Sequence, residues 1–337
     1  MKIRQKKSLV PLNLIVTAGL AVLIVMMCFS ITQGAADIPL KTVREAFLSF
    51  DSADSYHLMI IDLRLPRVLT SAFVGAALGV AGAIMQGITR NPMADSGILG
   101  INSGAGFAVA LYFAFMPNLG YGGLIFCAFI GAAFGALLVF GITAAKRGND
   151  TSMRLVLAGA AVSALLTALS QGIGLSFQVG VDVLFWTVGG VANAAWKQLS
   201  IIAPVITAAL IGGILLGPSV SILNMGEDVA KGLGLKTGAV QGLCTVCVLA
   251  LAGTSVAAVG AVAFVGLIIP HVSRFLVGVD YQKMIPASAV LGAILLVLAD
   301  LGARVVSPPF EVPLGVITAL IGVPFFLHLS RNERSGR

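Results

Sequence analysis

Apolar residues in this 337-residue chain gather into long unbroken runs separated by short polar stretches. About 20 apolar residues in an α-helix cross the roughly 30 Å hydrocarbon core of a bilayer. A helix also satisfies its own backbone hydrogen bonds, as lipid requires. The runs predict ten spanning helices, near 9–31, 66–88, 97–115, 122–144, 153–176, 197–217, 238–257, 258–277, 286–305 and 313–330. The expected fold class is all-α, a polytopic membrane protein with one transmembrane domain over 1–337. The first run follows Lys2, Arg4, Lys6 and Lys7 and precedes Gly34-Ala-Ala36, which resembles a secretory signal. Its apolar stretch exceeds the 7–15 residues of a signal core, so it is expected to stay as a helix.

Three connecting segments carry enough pattern to predict structure. In 37–62, Val43, Phe47 and Phe50 could line one side of a surface helix. In 178–196, Trp186 and Trp196 suit a membrane–water interface and flank the helix-weakening pair Gly189-Gly190. In 223–238, Asn224 with Glu227 has the spacing of a capping box, and Gly232 or Gly234 can end the helix in a left-handed turn. On that short helix Met225, Val229 and Leu233 form one side, with Glu227, Asp228 and Lys231 off it.

Composition excludes a separate soluble domain. Charged residues are 10% and hydrophobic residues 58%, with mean hydropathy +1.01. A soluble domain usually has about 25% charged residues. With the N-terminus inside, fifteen of the 21 basic residues fall on the inner side and the other six outside. That split follows the positive-inside rule and places both termini in the cytoplasm. The net charge of +7 therefore reports topology, and no nucleic acid is expected as a partner.

Polar residues within a membrane need a partner or a wet cavity. Ser163, Thr167, Ser170 and Gln171 recur at helical spacing, and Gln86 sits near the inner end of the second span. Each fits either a pathway lining or interhelical hydrogen bonding. Asp300 and Arg304 are one turn apart in the favourable acid-before-base order. Arg64-Leu-Pro-Arg67 runs against the inside-positive bias, and guanidinium forks suit headgroups or the carboxylates of an outer protein partner. Gly75/Gly79 and Gly131/Gly135 have the small-xxx-small spacing of close membrane helices. Cys244-x-x-Cys247 lies in an apolar run without a second pair or nearby His, which reads as packing. No phosphate-binding loop, metal-ligand cluster or nucleophile elbow is found in the sequence. Catalysis within the chain, a cofactor and a bound metal are not expected.

These motifs resemble the FecCD-type permeases of ABC importers for iron–siderophores, haem and vitamin B12. The resemblance rests on Arg64-Leu-Pro-Arg67, Gly82-Ala-Ile-Met-Gln86, Arg90-Asn-Pro-Met-Ala94, Leu99-Gly-Ile-Asn-Ser-Gly-Ala105, Gly266-Leu-Ile-Ile-Pro-His271 with Arg274, Asp300 with Arg304, and Glu311-Val-Pro-Leu-Gly315. Met93 and Ser96 stand where members often have Leu and Pro. The resemblance implies a ten-helix subunit paired with a second permease subunit, two cytoplasmic ATPases and an extracytoplasmic binding protein, in a bacterial cytoplasmic membrane. It implies iron–siderophore cargo, with haem or vitamin B12 as alternatives. Arg64, Arg67 and Arg304 would dock the binding protein, 223–238 would couple to the ATPase, and 178–196 would form the outer gate. An ion-coupled secondary transporter is the rival from another class. Asp300 is the only acid expected within a span, and it lies beside Arg304.

Overall fold

A computed structural model describes residues 11–34, 37–144, 151–307 and 310–334. In chain order the helices are α1 Leu12–Thr32, α2 Leu40–Leu48, α3 Ser55–Leu58, α4 Leu65–Thr89, α5 Ile101–Phe115, α6 Gly120–Ala144, α7 Thr151–Ser176 and α8 Gly180–Val188. They continue as α9 Trp196–Asn224, α10 Glu227–Gly232, α11 Thr237–Val248, α12 Thr254–Val259, α13 Val265–Val277, α14 Tyr281–Val305 and α15 Leu314–Arg334. Wide π-type turns join α3 to α4 and α11 to α12, so each pair runs on as one rod. Seven described rods are long and apolar enough to cross a membrane, and α5, α13 and α15 are shorter apolar helices. Each of the ten predicted runs thus overlaps one of these apolar helices.

Helix α4 is the axis of the bundle. It packs on α14, α9 and α13, and Val74, Ala77, Val80, Ala81 and Ile84 along it are fully buried. The α4–α14 approach depends on glycine. A Cβ on Gly75 would sit 2.2 Å from the Gly292 carbonyl oxygen, and one on Gly292 would sit 2.2 Å from that of Gly75. Gly104 and Gly131 bring α5 onto α6 in the same way. Lipid provides little hydrophobic drive between helices, so close backbone contact supplies the dispersion energy that holds them.

Three local expectations change. On α2 the buried positions are Val43 and Ala46, whereas Phe47 is exposed, as is Phe50 just beyond it. The inward face follows the three-residue step, and Phe50 stacks instead on His57. The run at 258–277 is not one helix: Gly260 (φ +73) ends α12, and α13 starts only after Phe264 (φ +69). Asn224 closes α9, and Gly226 at φ +122 occupies the cap position of α10, so no capping box forms. The predicted glycine ending does form, because Gly234 is left-handed (φ +82). Leu235 N–H donates to the Ala230 carbonyl and Gly234 N–H to that of Lys231, a Schellman pattern.

Candidate functional site

The polar stripe of α7 opens into the larger of the two described hollows flanking α8, a cavity of about 710 Å³. Ser163, Thr167, Ser170 and Gln171 all line it, facing Asn102, Ser103 and Gly106 of α5. The i, i+4, i+7, i+8 spacing places them on one face of a helix. Ser103 Oγ donates to Ser163 Oγ at 3.1 Å, and Ser170 Oγ donates to the Gly106 carbonyl at 3.2 Å. These two bonds tie the walls together, while Thr167 and Gln171 remain exposed to the hollow. The wall carries hydroxyls, amides and apolar groups, with no charged side chain among the described lining residues. Such a surface can exchange weak hydrogen bonds with a large cargo without trapping it.

Val183, Leu184, Trp186 and Thr187 of α8 line the same cavity. The C-terminal end of α8 is fixed by backbone hydrogen bonds and by Trp186 packed against the core. Gly190 N–H donates to the Val259 carbonyl at 2.7 Å, and a Cβ on Gly189 would come within 2.4 Å of that same oxygen. Segment 178–196 is therefore a short helix latched onto the end of α12. Trp196 is pinned separately, its indole N–H donating to the Ile61 carbonyl at 2.9 Å.

Gln86 is not brought to the cavity. It is 1% exposed and locked between α4 and α13, donating to the Gly266 carbonyl at 3.5 Å and accepting from Arg274 Nη2 at 3.0 Å. A Gly266–Gly82 contact pulls the two helices together at that level and leaves the amide no open space. Its expected place in the pathway lining gives way to a helix-joining one.

Arg64, Arg67 and Arg304 converge at one end of the bundle, where α4 begins and α1 and α14 finish. Their forks are engaged within the chain. Arg64 Nη1 donates to the Ile31 carbonyl at 2.5 Å and the Gln33 carbonyl at 3.2 Å. Arg304 donates to the Gln33 carbonyl at 2.9 Å and to Ser30 Oγ, with Asp300 3.4 Å away. Arg67 clamps Asp300 through Nε (2.9 Å) and Nη2 (2.7 Å), and its Nη1 donates to Glu311 at 2.7 Å. Asp300 is thus held chiefly by Arg67 rather than by the helical neighbour Arg304.

At the opposite end of the bundle α10 presents an uncovered apolar stripe. Met225, Val229 and Leu233 are all exposed, and only Ala230 of this helix is buried. Glu227 and Lys231 pair beside the stripe at 3.0 Å. That ammonium holds the Glu227 carboxyl below the usual carboxylate range. Asp228 lies in the first turn, where a carboxylate favours the helix dipole.

The model of the FecCD transport family matches residues 22–332, nearly the whole chain. The chain belongs to that family. The Bacillus subtilis iron(3+)-hydroxamate import system permease protein FhuB is 49% identical over 96% of this chain and 84% of its own. The probable siderophore transport system permease protein YfiZ of the same organism is 44% identical, covering 92% and 93%. A solved structure described as an inward-facing metal-chelate type ABC transporter superposes with TM-score 0.83 at 29% identity, over 95% of this chain and 99% of that one. This FecCD-family chain is accordingly a membrane permease subunit and not the enzyme that hydrolyses ATP. Sequence reasoning missed Ser103, Asn102 and Thr187 in the cavity and the contact of Glu311 with Arg67. Asn102 and Ser103 stand out in the sequence only within a family motif; being adjacent they form no stripe, and which face of α5 meets α7 was not readable.

Proposed function

We propose that this chain forms half of the pathway through which an ABC importer moves a ferric siderophore complex across a bacterial cytoplasmic membrane. The uncharged polar cavity between α5, α7 and α8 carries the proposal, since it combines room for a bulky chelate with a coverable end. Relatives named for iron(3+)-hydroxamate and siderophore import support the cargo class. The ten apolar helices all span, both termini lie in the cytoplasm, and the arginine end faces outward.

A second permease subunit, identical or related, closes the open side of the cavity. Two ATPase subunits bind below, receiving the Met225/Val229/Leu233 stripe in a cleft, with Glu227 and Asp228 at its rim. An extracytoplasmic binding protein docks above on the Arg64, Arg67 and Arg304 cluster. Movement of the ATPases tilts the bundle through α10, and α8 uncovers or seals the outer end of the cavity in turn. Haem or vitamin B12 would need the same architecture, but the named relatives favour a ferric chelate. The secondary-transporter rival loses its proton-binding candidate, because Asp300 is committed to Arg67 and Arg304.

Uptake of radioactive iron by proteoliposomes tests the proposal. The complete complex should import a ferric hydroxamate only with ATP inside and binding protein outside. Uptake driven by a proton or sodium gradient without the ATPase would refute it.

A further inference from the structure

The arginine cluster contains one internal bond of a different kind from the rest. Asp300, 1% exposed, is part of the core, and Arg67 is itself only 11% exposed. Arg64 and Arg304 are fastened to the end of α1 through the Ile31 and Gln33 carbonyls and Ser30. Glu311, by contrast, is 42% exposed and meets Arg67 from the connection between α14 and α15. Its neighbour Phe310 is 77% exposed. A hydrogen bond from Val312 N–H to the Ala303 carbonyl anchors the connection just beyond Glu311. One arm of Arg67 is therefore held by a surface carboxylate on a short tether, while the other two nitrogens grip a buried one.

We infer that Glu311 is a resident stand-in for a carboxylate of the docking protein, and that docking proceeds by exchange of carboxylates on Arg67 Nη1. This rests on the reading that the arginine end receives an acidic binding protein. The exchange trades one carboxylate for another, so Arg67 keeps both of its acidic partners and Asp300 never loses its clamp. An unoccupied Arg67 arm would attract any anion; with Glu311 in place, only a partner whose other contacts also fit displaces it. Displacement frees Phe310 and Glu311, next to the Val312 anchor from which the chain enters the first turn of α15. That turn lies close to α8, since a Cβ on Gly315 would stand 3.6 Å from the Val188 carbonyl and 3.4 Å from that of Ala261. Arrival of the partner is thereby reported to the latch that closes the cavity.

The experiment measures affinity of the complete transporter in nanodiscs for the purified binding protein that restores its uptake in cells. Removing a competitor for Arg67 raises the competent fraction of transporter. Glu311→Gln is expected to tighten binding roughly two- to fivefold, the range an exposed ion pair can contribute. Arg67→Lys, which keeps one charge but loses the two-sided fork, is expected to weaken binding and to erase the gain in the Arg67→Lys/Glu311→Gln double variant. Unchanged or weaker binding in Glu311→Gln, with Arg67→Lys still impaired, overturns the exchange and leaves docking intact. Unimpaired binding in Arg67→Lys overturns both. As a check independent of folding of the Gln variant, a spin label at Phe310→Cys in a cysteine-free wild-type background should gain mobility when binding protein is added. An unchanged spectrum at saturating binding protein contradicts the exchange.

Discussion

Arg67 holds structure by its internal contacts, and the proposed docking role would make the same residue serve recognition. A guanidinium presents five donors in a planar fork, enough to hold Asp300 from two nitrogens and Glu311 from a third. Breaking a buried pair by removing one partner costs roughly 3–5 kcal/mol, because a charge is left unpaired. Arg67→Ala should therefore lower the melting temperature of the purified protein markedly, and by more than Glu311→Gln, which removes only the exposed partner. Equal melting of wild type and Arg67→Ala would show that the pair does not support the fold. For the same reason, loss of uptake in a charge-reversal variant at Arg67 or Arg304 would reflect misfolding as well as lost docking. The gentler Arg67→Lys separates the two.

Individual elements divide into those that hold the bundle and those that face a partner. The α4–α14 crossing belongs to the first kind. A Val side chain at Gly75 would collide with the backbone of Gly292, and overpacking of this sort costs roughly 1–3 kcal/mol. Gly75→Val should lower folded yield and melting temperature, while Gly106→Val, with no atom within 4 Å of its added Cβ, should leave melting unchanged. Helix α10, with its exposed stripe, is proposed to be of the second kind. Val229→Asp with Leu233→Asp should leave melting unaltered, since both side chains are exposed, yet abolish co-purification of the ATPase. Retained ATP-driven uptake in that variant would remove α10 from the coupling path. Glu227 adds a pH statement. Its carboxyl is held below its unfolded value, so its contribution is present above the usual carboxylate range and is lost as pH falls through the lowered value. Both partners are well exposed, which keeps the contribution small. Attachment of the ATPase should not change between about pH 6 and pH 8 on account of this pair, as a pull-down across that range would check.

At the scale of the whole molecule, apolar runs and helical spacing carried most of the legible information. Each run overlaps an apolar helix, though 258–277 is broken at Gly260, because lipid admits few other backbone arrangements, and the α7 stripe was readable because its period is that of a helix. The arginine cluster was legible only as a set of residue types. Arg67 meets Asp300 and Glu311 across separations of 233 and 244 residues, and no local pattern specifies such a pairing. Gln86 was misplaced for a related reason: a polar residue in an apolar helix looks the same whether it faces a cavity or a neighbouring helix.

The central claim, that the α5–α7–α8 cavity is the transport pathway, is tested most directly by thiol accessibility in the reconstituted complex. In a cysteine-free background, Thr167→Cys and Gln171→Cys should react with a membrane-impermeant thiol reagent, and their rates should change when the ATPase is locked with nucleotide. Val162→Cys, on the buried side of the same helix, should stay protected in both states. Protection of positions 167 and 171 equal to that of 162, with and without nucleotide, would mean the cavity is a packing gap and the cargo crosses elsewhere.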